Sequence, residues 1–294
     1  RPRSSSSSTR LRYLDRSQHT MVSSLIPALV QRLSTPVNHY CGKLFPATAL
    51  VGATSDNKLA VFSSDNPRRV RIIKLSGLAP NERILGLDVR PANGQLYALG
   101  STSQIYIVDL RQRVASPVGS PFSPALRGDF FGFDFNPQAD RIRIVSDADQ
   151  NLRINPDTGA VAAVDTDLDY AAGDSGAGLD PGAVGAAYTN NDNNPATPTT
   201  LFDIDATRDT LVRQDPPNNG ALTTVGSLGV ATTHSLVAGF DIAASDGTAY
   251  ALLRSAGSDR PHLYRIDLTT GAASFIGEIG GRVVLSSLAT LGSD

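Results

Sequence analysis

GLDVRPANGQLYALGSTSQIYIVDLRQRVASPVG, residues 86–119, holds four short runs of β-branched, aromatic and alternating apolar residues. Turn words such as Pro-Ala-Asn-Gly separate them, which is the composition of successive strands rather than of helix. Three further segments align with it: GFDFNPQADRIRIVSDADQNLRINPDTGAVAAVD (132–165), GAAYTNN…TTLFDIDATRDTLVRQDPPNNGALTTVG (185–226) and GFDIAASDGTAYALLRSAGSDRPHLYRIDLTTGAASFIG (239–277). Their leading glycines are 46, 53 and 54 residues apart, the length of one blade of a β-propeller.

The unit from Gly239 shows the design most plainly. Its runs GFDIA, TAYALL, HLYRIDL and ASFIG are separated by SDG, a longer polar loop and TTG, where Gly supplies the positive φ of a hairpin turn. Four such strands make one antiparallel sheet, which cannot bury both faces alone and must stack on copies of itself around an axis. Upstream, ATALVGATSDNKLAVFSSDNPRRVRIIKLSG (47–77) supplies three more strands but lacks a first one. Downstream, RVVLSSLATLG (282–292) supplies one strand with no unit after it, beginning 47 residues beyond Gly239 if Ser286 is equated with the repeat's glycine. Joining the two ends completes a fifth blade and removes an exposed sheet edge. The expected fold is therefore all-β, a propeller of five blades of four antiparallel strands, closed by pairing of the N- and C-terminal segments. A β-sandwich, or a six-bladed ring using residues 22–45, are the alternatives.

Composition agrees. The chain has 294 residues, 40% of them apolar, with 26 Gly and 18 Pro but only the glutamates Glu82 and Glu278, so it is long enough for one large β-domain and poor in helix formers. Residues 46–294 are expected to form that domain and residues 1–45 a separate leader, either disordered or a targeting segment. The leader carries Arg1, Arg3, Arg10, Arg12, Arg16, Arg32 and Lys43 against Asp15 alone, leaving the rest of the chain at −8. An acidic body excludes a phosphate-backbone partner, since nucleic-acid binding needs a cationic surface. The Arg- and Ser-rich run 1–20 reads as an organellar transit peptide or, if translation starts at Met21, as sequence ahead of the protein. Cys41 is the single cysteine, so no intrachain disulfide forms and export cannot be read from a bridge framework. No apolar stretch reaches the roughly 18 residues that span a bilayer.

The words GFDFNPQADRIRIVSD (132–147), QNLRINPDTGAV (150–161), DLDYAAGDSGAG (167–178), AAYTNN (186–191) and LYRIDLTTGAASFIG (263–277) resemble the domain-of-unknown-function family numbered 4394. The likeness runs over about residues 47–292. It implies a propeller-like domain, often in exported bacterial proteins, with no established activity.

Two motifs fail on inspection. Gly-Asp-Ser-Gly at 173–176 matches a serine-protease nucleophile word, but that chemistry needs a His base and an oriented carboxylate on another architecture, and Ser175 falls in a Gly-rich connection between units. Asp165, Asp167 and Asp169 alternate as at the start of an EF-hand loop, yet Tyr170 takes the place of its glycine and no Glu follows. A looser Ca²⁺ site shared with Asp174 or Asp180 is the remaining metal reading. His19, His39, His234 and His262 are too scattered for zinc, and no dinucleotide signature is present; no cofactor is otherwise expected.

The repeat carries the better signals. Gly-x-Asp recurs on the first strand as Asp88, Asp134 and Asp241, with Ala187 in the third unit. Such carboxylates either accept backbone N–H groups of the next blade and set blade spacing, or ring the axial mouth and bind a cation. The unit from Gly132 departs from its siblings. Where they place an aromatic on the second strand (Tyr97, Tyr250) it has Arg143, and where they place one on the third (Tyr106, Phe202, Tyr264) it has Arg153. Arg141 shares a face with Arg143, and Asp134, Asn136, Asn151, Asn190 and Asn191 are close in the same and the following unit. Half-buried arginines need neutralising, either by nearby Asp or by an anionic ligand. These residues are the candidate ligand site of a non-catalytic binding module for an anionic small molecule, a glycan or a protein. A propeller hydrolase or lyase using axial Asp residues, and a purely structural interaction platform, are the alternatives.

Overall fold

The computed structural model describes residues 47–232, 237–254, 258, 260–281 and 283–292, and these form 21 strands in five sheets. The leader 1–45, with Met21, Cys41, His19 and His39, and also His234, lie outside the described residues. Each sheet is a blade. Blade 2 is β4 (Ile84–Val89), β5 (Leu96–Gly100), β6 (Ile105–Asp109) and β7 (Val114–Val118). Blade 3 is β8 (Phe131–Asn136), β9 (Arg141–Ser146), β10 (Asn151–Ile154) and β11 (Val161–Val164). Blade 5 is β17 (Val237–Ile242), β18 (Ala249–Leu253), β19 (His262–Ile266) and β20 (Ala273–Glu278).

Blade 1 is built from both ends of the chain. β1 (Ala49–Ala53), β2 (Lys58–Ser63) and β3 (Asn66–Lys74) take β21 (Ala289–Leu291) as their innermost strand, in antiparallel register Val51 to Ala289 and Ala49 to Leu291. The Ser287 hydroxyl accepts the Ala53 N–H at 3.1 Å and extends the seam. The ring thus closes as expected from the unpaired strands at the two ends.

Blade 4 differs from the expected unit in two ways. A two-residue strand, β12 (Asp169–Tyr170), adds in parallel to β16 (Ala221–Ser227), so this sheet has five strands with β13 (Ala183–Tyr188), β14 (Leu201–Asp205) and β15 (Thr210–Gln214). Phe202 lies on the second strand of its blade, not the third. The word Asp-Ala-Thr-Arg-Asp after β14 is chemically like the hairpin that joins third to fourth strands elsewhere, because Asp205 accepts the N–H groups of Thr207 and Arg208 as Asp109 and Asp267 do in theirs. Here the same turn joins second to third.

The core is five apolar layers, one between each pair of neighbouring blades, for example Leu59, Val61, Leu87 and Tyr106 between blades 1 and 2 and Ile204, Leu211, Phe240 and Ala251 between blades 4 and 5. Near the axis the backbones approach so closely that a side chain is excluded. A Cβ on Gly86 would lie 2.4 Å from Cβ of Phe133, and one on Gly132 would lie 2.6 Å from the Ala186 nitrogen. In each case the glycine faces the residue that follows the next blade's glycine. Gly239 faces Leu288 in the same way, 2.4 Å from its nitrogen, so Ser287, not Ser286, takes the glycine's place in blade 1. Among the described residues no helix is long and apolar enough to cross a membrane.

Candidate axial site and the arginine network of blade 3

Two residues beyond each glycine the first strand turns its side chain toward the next blade, and there the chain places Asp88, Asp134, Ala187, Asp241 and Ala289. Asp88 accepts the Phe135 N–H of blade 3 at 2.7 Å, Asp134 accepts the Tyr188 N–H of blade 4 at 2.8 Å, and Asp241 accepts the Thr290 N–H of blade 1 at 2.5 Å. Three of the five inter-blade junctions are therefore tied by one carboxylate each. At the other two junctions the preceding blade offers only Ala187 or Ala289. There the orphaned first-strand N–H is taken by the side chain of the residue before it: Asp241 accepts Ile242 N–H and Asp88 accepts Val89 N–H, both at 2.6 Å.

This arithmetic leaves one atom over. The Phe135 N–H, which Asp134 would otherwise accept, belongs to Asp88, so Oδ1 of Asp134 is buried with no hydrogen-bond partner from the protein. Asp88, Asp134 and Asp241 are each at most 3% exposed, and one carboxylate oxygen from each lies within 4.8 Å of the others. Burial, reinforced by the Asp241 charge, raises the Asp88 carboxyl well above its ordinary range, and burial with the Asp88 charge does the same to Asp134. Asp241, whose burial is partly offset by the Thr290 donor, is pushed up to about 6.

Of the triad, Asp88 lines a cavity of about 300 Å³ at the ends of the first strands, whose walls also include Arg90, Asn191, Ser245 and Thr290. On the other side the axis narrows to about 10 Å³ among Gly86, Gly132, Gly185 and Gly239. Asn191 donates to the Ile242 carbonyl at 3.2 Å, while its Oδ1 is buried and unpartnered. Arg90, which sequence reasoning passed over, is 7% exposed and bonds Asp140 at 2.7 Å, Asp157 at 2.6 Å and the Tyr97 hydroxyl at 3.3 Å. It stands where the sibling blades have Asn136 and Ala243, a third basic substitution that the unit alignment contained.

The remaining predicted residues gather elsewhere. Arg143 on β9 is 1% exposed and fully engaged, with Asn151 and Asp165 at 2.6 Å, Asn218 at 2.8 Å and the Tyr188 hydroxyl at 3.3 Å. Arg153, directly opposite it on β10, forks onto both oxygens of Asp165 at 2.8 Å, a bidentate pair. Asn151 also donates to the carbonyls of Thr166 and Pro217. Asn218 and Pro217 come from blade 4, so the network clamps blade 3 to blade 4. Arg141 turns back to the Asp140 carbonyl, Asn136 caps the N–H groups of Gln138 and Ala139, and Asn190 bonds the Pro198 carbonyl. Of the candidate ligand residues, then, only Asp134 and Asn191 belong to the axial region by their contacts.

Asp165, Asp167 and Asp169 do not converge. Asp165 serves the two arginines, Asp167 pairs with Arg127 at 2.7 Å, and Asp169 accepts the N–H of Tyr170. Asp174 is likewise committed, to the N–H and hydroxyl of Thr224. Ser175 contacts the Thr224 hydroxyl and Arg208. Among the described residues the axial triad is the one group of three metal-ligating side chains whose oxygens lie within 4.8 Å of one another; Asp180 and Asp167 approach Asp149, whose carboxyl is pushed up to about 6 by burial and by their charges.

The profile of the family described as domain of unknown function (DUF4394) matches residues 58–289. No curated protein matches the sequence. Among solved structures, a structural-genomics protein of unknown function from Bacteroides thetaiotaomicron is similar at 15% identity and a TM-score of 0.51, over 83% of this chain and 62% of that one. Hydrazine synthase of Kuenenia stuttgartiensis is similar at 13% identity and a TM-score of 0.40, over 71% of this chain and 52% of that one. The chain therefore spans less than two thirds of either protein, and the likeness to the Bacteroides protein concerns the fold alone.

Proposed function

This chain belongs to the DUF4394 family, and from that premise we propose that it is a non-catalytic binding module that takes a polyhydroxylated ligand, a sugar or the end of a glycan, into the axial mouth. The observation that carries the reading is Asn191 Oδ1, a buried acceptor without a partner in the wall of the cavity of about 300 Å³. That volume is at the small end of ligand pockets. Its polar lining is mainly acceptors and hydroxyls, which suit the many O–H donors of a sugar. The basic side chain nearby, Arg90, is neutralised by Asp140 and Asp157, and Arg143 and Arg153 are neutralised by Asp165, so an anion finds no spare cation at either place.

Hydrolysis is the weaker reading. A glycosidase holds its two carboxyl groups roughly 5 to 9.5 Å apart, with one free to meet the sugar, whereas the axial carboxylates lie within 4.8 Å and each accepts a backbone N–H. The test is a sugar and glycan screen by thermal shift, followed by calorimetry on any hit with the wild type and Asn191→Leu. Binding that weakens at least ~10-fold in the variant supports the proposal. A wild type that binds no sugar, or a variant that binds as well as the wild type, ends it.

A further inference from the structure

Asp88, Asp134 and Asp241, each at most 3% exposed, gather up to three negative charges beside a narrow axial space, and among the described residues no cation pairs with them. Arg143 stands opposite Asp134 on the neighbouring strand, but its guanidinium is spent on Asn151, Asp165 and Asn218. Arg90 is spent on Asp140 and Asp157. Three buried carboxyl groups so placed have two ways to be relieved: they share protons, or they hold a cation.

We infer that the axial triad is a binding site for a divalent cation of the Ca²⁺ type. Two oxygens bound to one Ca²⁺ at about 2.3–2.6 Å are separated by at most about 5 Å, and the triad's oxygens lie within 4.8 Å of one another. Asp134 belongs to the cluster, and its Oδ1, in a residue only 1% exposed, is the atom that points to a ligand, because it is buried and has no donor from the protein. The other oxygens are pinned by backbone N–H groups, so the donors cannot rearrange into the near-ideal octahedron that Mg²⁺ demands, while Ca²⁺ tolerates irregular sets completed by water. Asp88 lines the axial mouth, which gives the ion its path in and supplies the remaining oxygen ligands from solvent. A cation here would also tie together three of the blades that the same carboxylates already join. The inference rests on the triad alone and does not depend on what the mouth binds.

The experiment uses the full chain, dialysed against EDTA and titrated with CaCl₂ alone by calorimetry, with melting followed in parallel. The expected result is a single-site isotherm and a rise in Tm of about 5 °C in ~1 mM CaCl₂, with a smaller rise in MgCl₂. Asp134→Asn keeps an acceptor for the Tyr188 N–H and places an amide where Oδ1 lay, so it is expected to fold while binding Ca²⁺ at least ~10-fold more weakly. Asp167→Asn with Asp169→Asn, two exposed carboxylates outside the triad, is expected to bind as the wild type does. The inference is overturned if the wild type takes up no Ca²⁺, which leaves proton sharing as the relief. It is equally overturned if Asp134→Asn binds normally, or if the Asp167→Asn, Asp169→Asn variant abolishes binding. The wild-type titration decides on its own should Asp134→Asn fail to fold.

Discussion

Asp134 and Arg143 stand directly opposite one another on β8 and β9, yet they share no hydrogen bond. Asp134 reaches inward and across to the Tyr188 N–H, whereas Arg143 reaches outward to Asp165 and Asn218. The charges that sequence proximity suggests as a pair are instead divided between two sites, one on the axis and one between blades 3 and 4. That division leaves the axial triad acidic and makes the arginine network self-contained.

Asp165 is the single anion that answers both Arg143 and Arg153. Asp165→Asn strands a guanidinium that is 1% exposed and is expected to cost about 3–5 kcal/mol in urea unfolding, with little dependence on salt. Arg68 and Glu278 form a comparison pair at 73% and 55% exposure, and Arg68→Ala is expected to cost under ~1 kcal/mol. Equal losses for the two substitutions would show that the buried pair is not special.

Asp203 on β14 is fully buried, with neither carboxylate oxygen hydrogen-bonded, and burial pushes its pKa from 3.8 to about 8 despite the Arg143 charge nearby. Between those values the folded chain keeps a proton that the unfolded chain releases, so its contribution to stability is present at low pH and is lost as pH rises toward 8. Asp203→Asn is expected to flatten the stability profile from pH 5 to 8 and to be more stable than the wild type at pH 8 by roughly 2–4 kcal/mol. A wild type whose stability climbs over that range, with the climb abolished in the variant, would contradict the sign.

Gly132 and Gly94 separate two reasons for glycine. At Gly132 a Cβ would meet the Ala186 nitrogen at 2.6 Å, while Gly94 has φ +70 and open space around it. Gly132→Ala is expected to lower stability by about 3 kcal/mol, because two backbones must move apart. Gly94→Ala costs only about 1 kcal/mol of backbone strain. Chemical denaturation of both variants orders them, and the reverse order would remove close blade approach as the cause.

Ring closure is testable by ending the chain after Val284. The truncated protein loses β21, its pairing with β1 and the Asp241 bond to Thr290, and it exposes the free edge of β1. Broadened, non-cooperative melting and aggregation are the expected outcomes. A truncated chain that melts as sharply and as late as the full one would mean that the ring does not need its seam.

The fold was legible because its determinants are local. Alternating runs, Asx and glycine turns, and a recurring Gly-x-Asp are each set by a few adjacent residues, and the unpaired strands at both ends announced the closure. The same local chemistry misled at blade 4, where the Asp205 turn resembles that of Asp109 and Asp267 but joins a different pair of strands. It also set the first-blade equivalence one residue off, at Ser286 instead of Ser287, since no glycine marks the place.

From the sequence alone came the blade count, the closing segment, the row of axial carboxylates and the oddity of the arginines in blade 3. Only the tertiary structure decided what those charges do. The bonds that settle it join residues 47, 54 and 49 positions apart on the axis and 75 apart from Arg143 to Asn218. Whether Asp134 keeps a free oxygen depends on which neighbour claims each N–H first, and that competition exists only once five blades are packed around one axis.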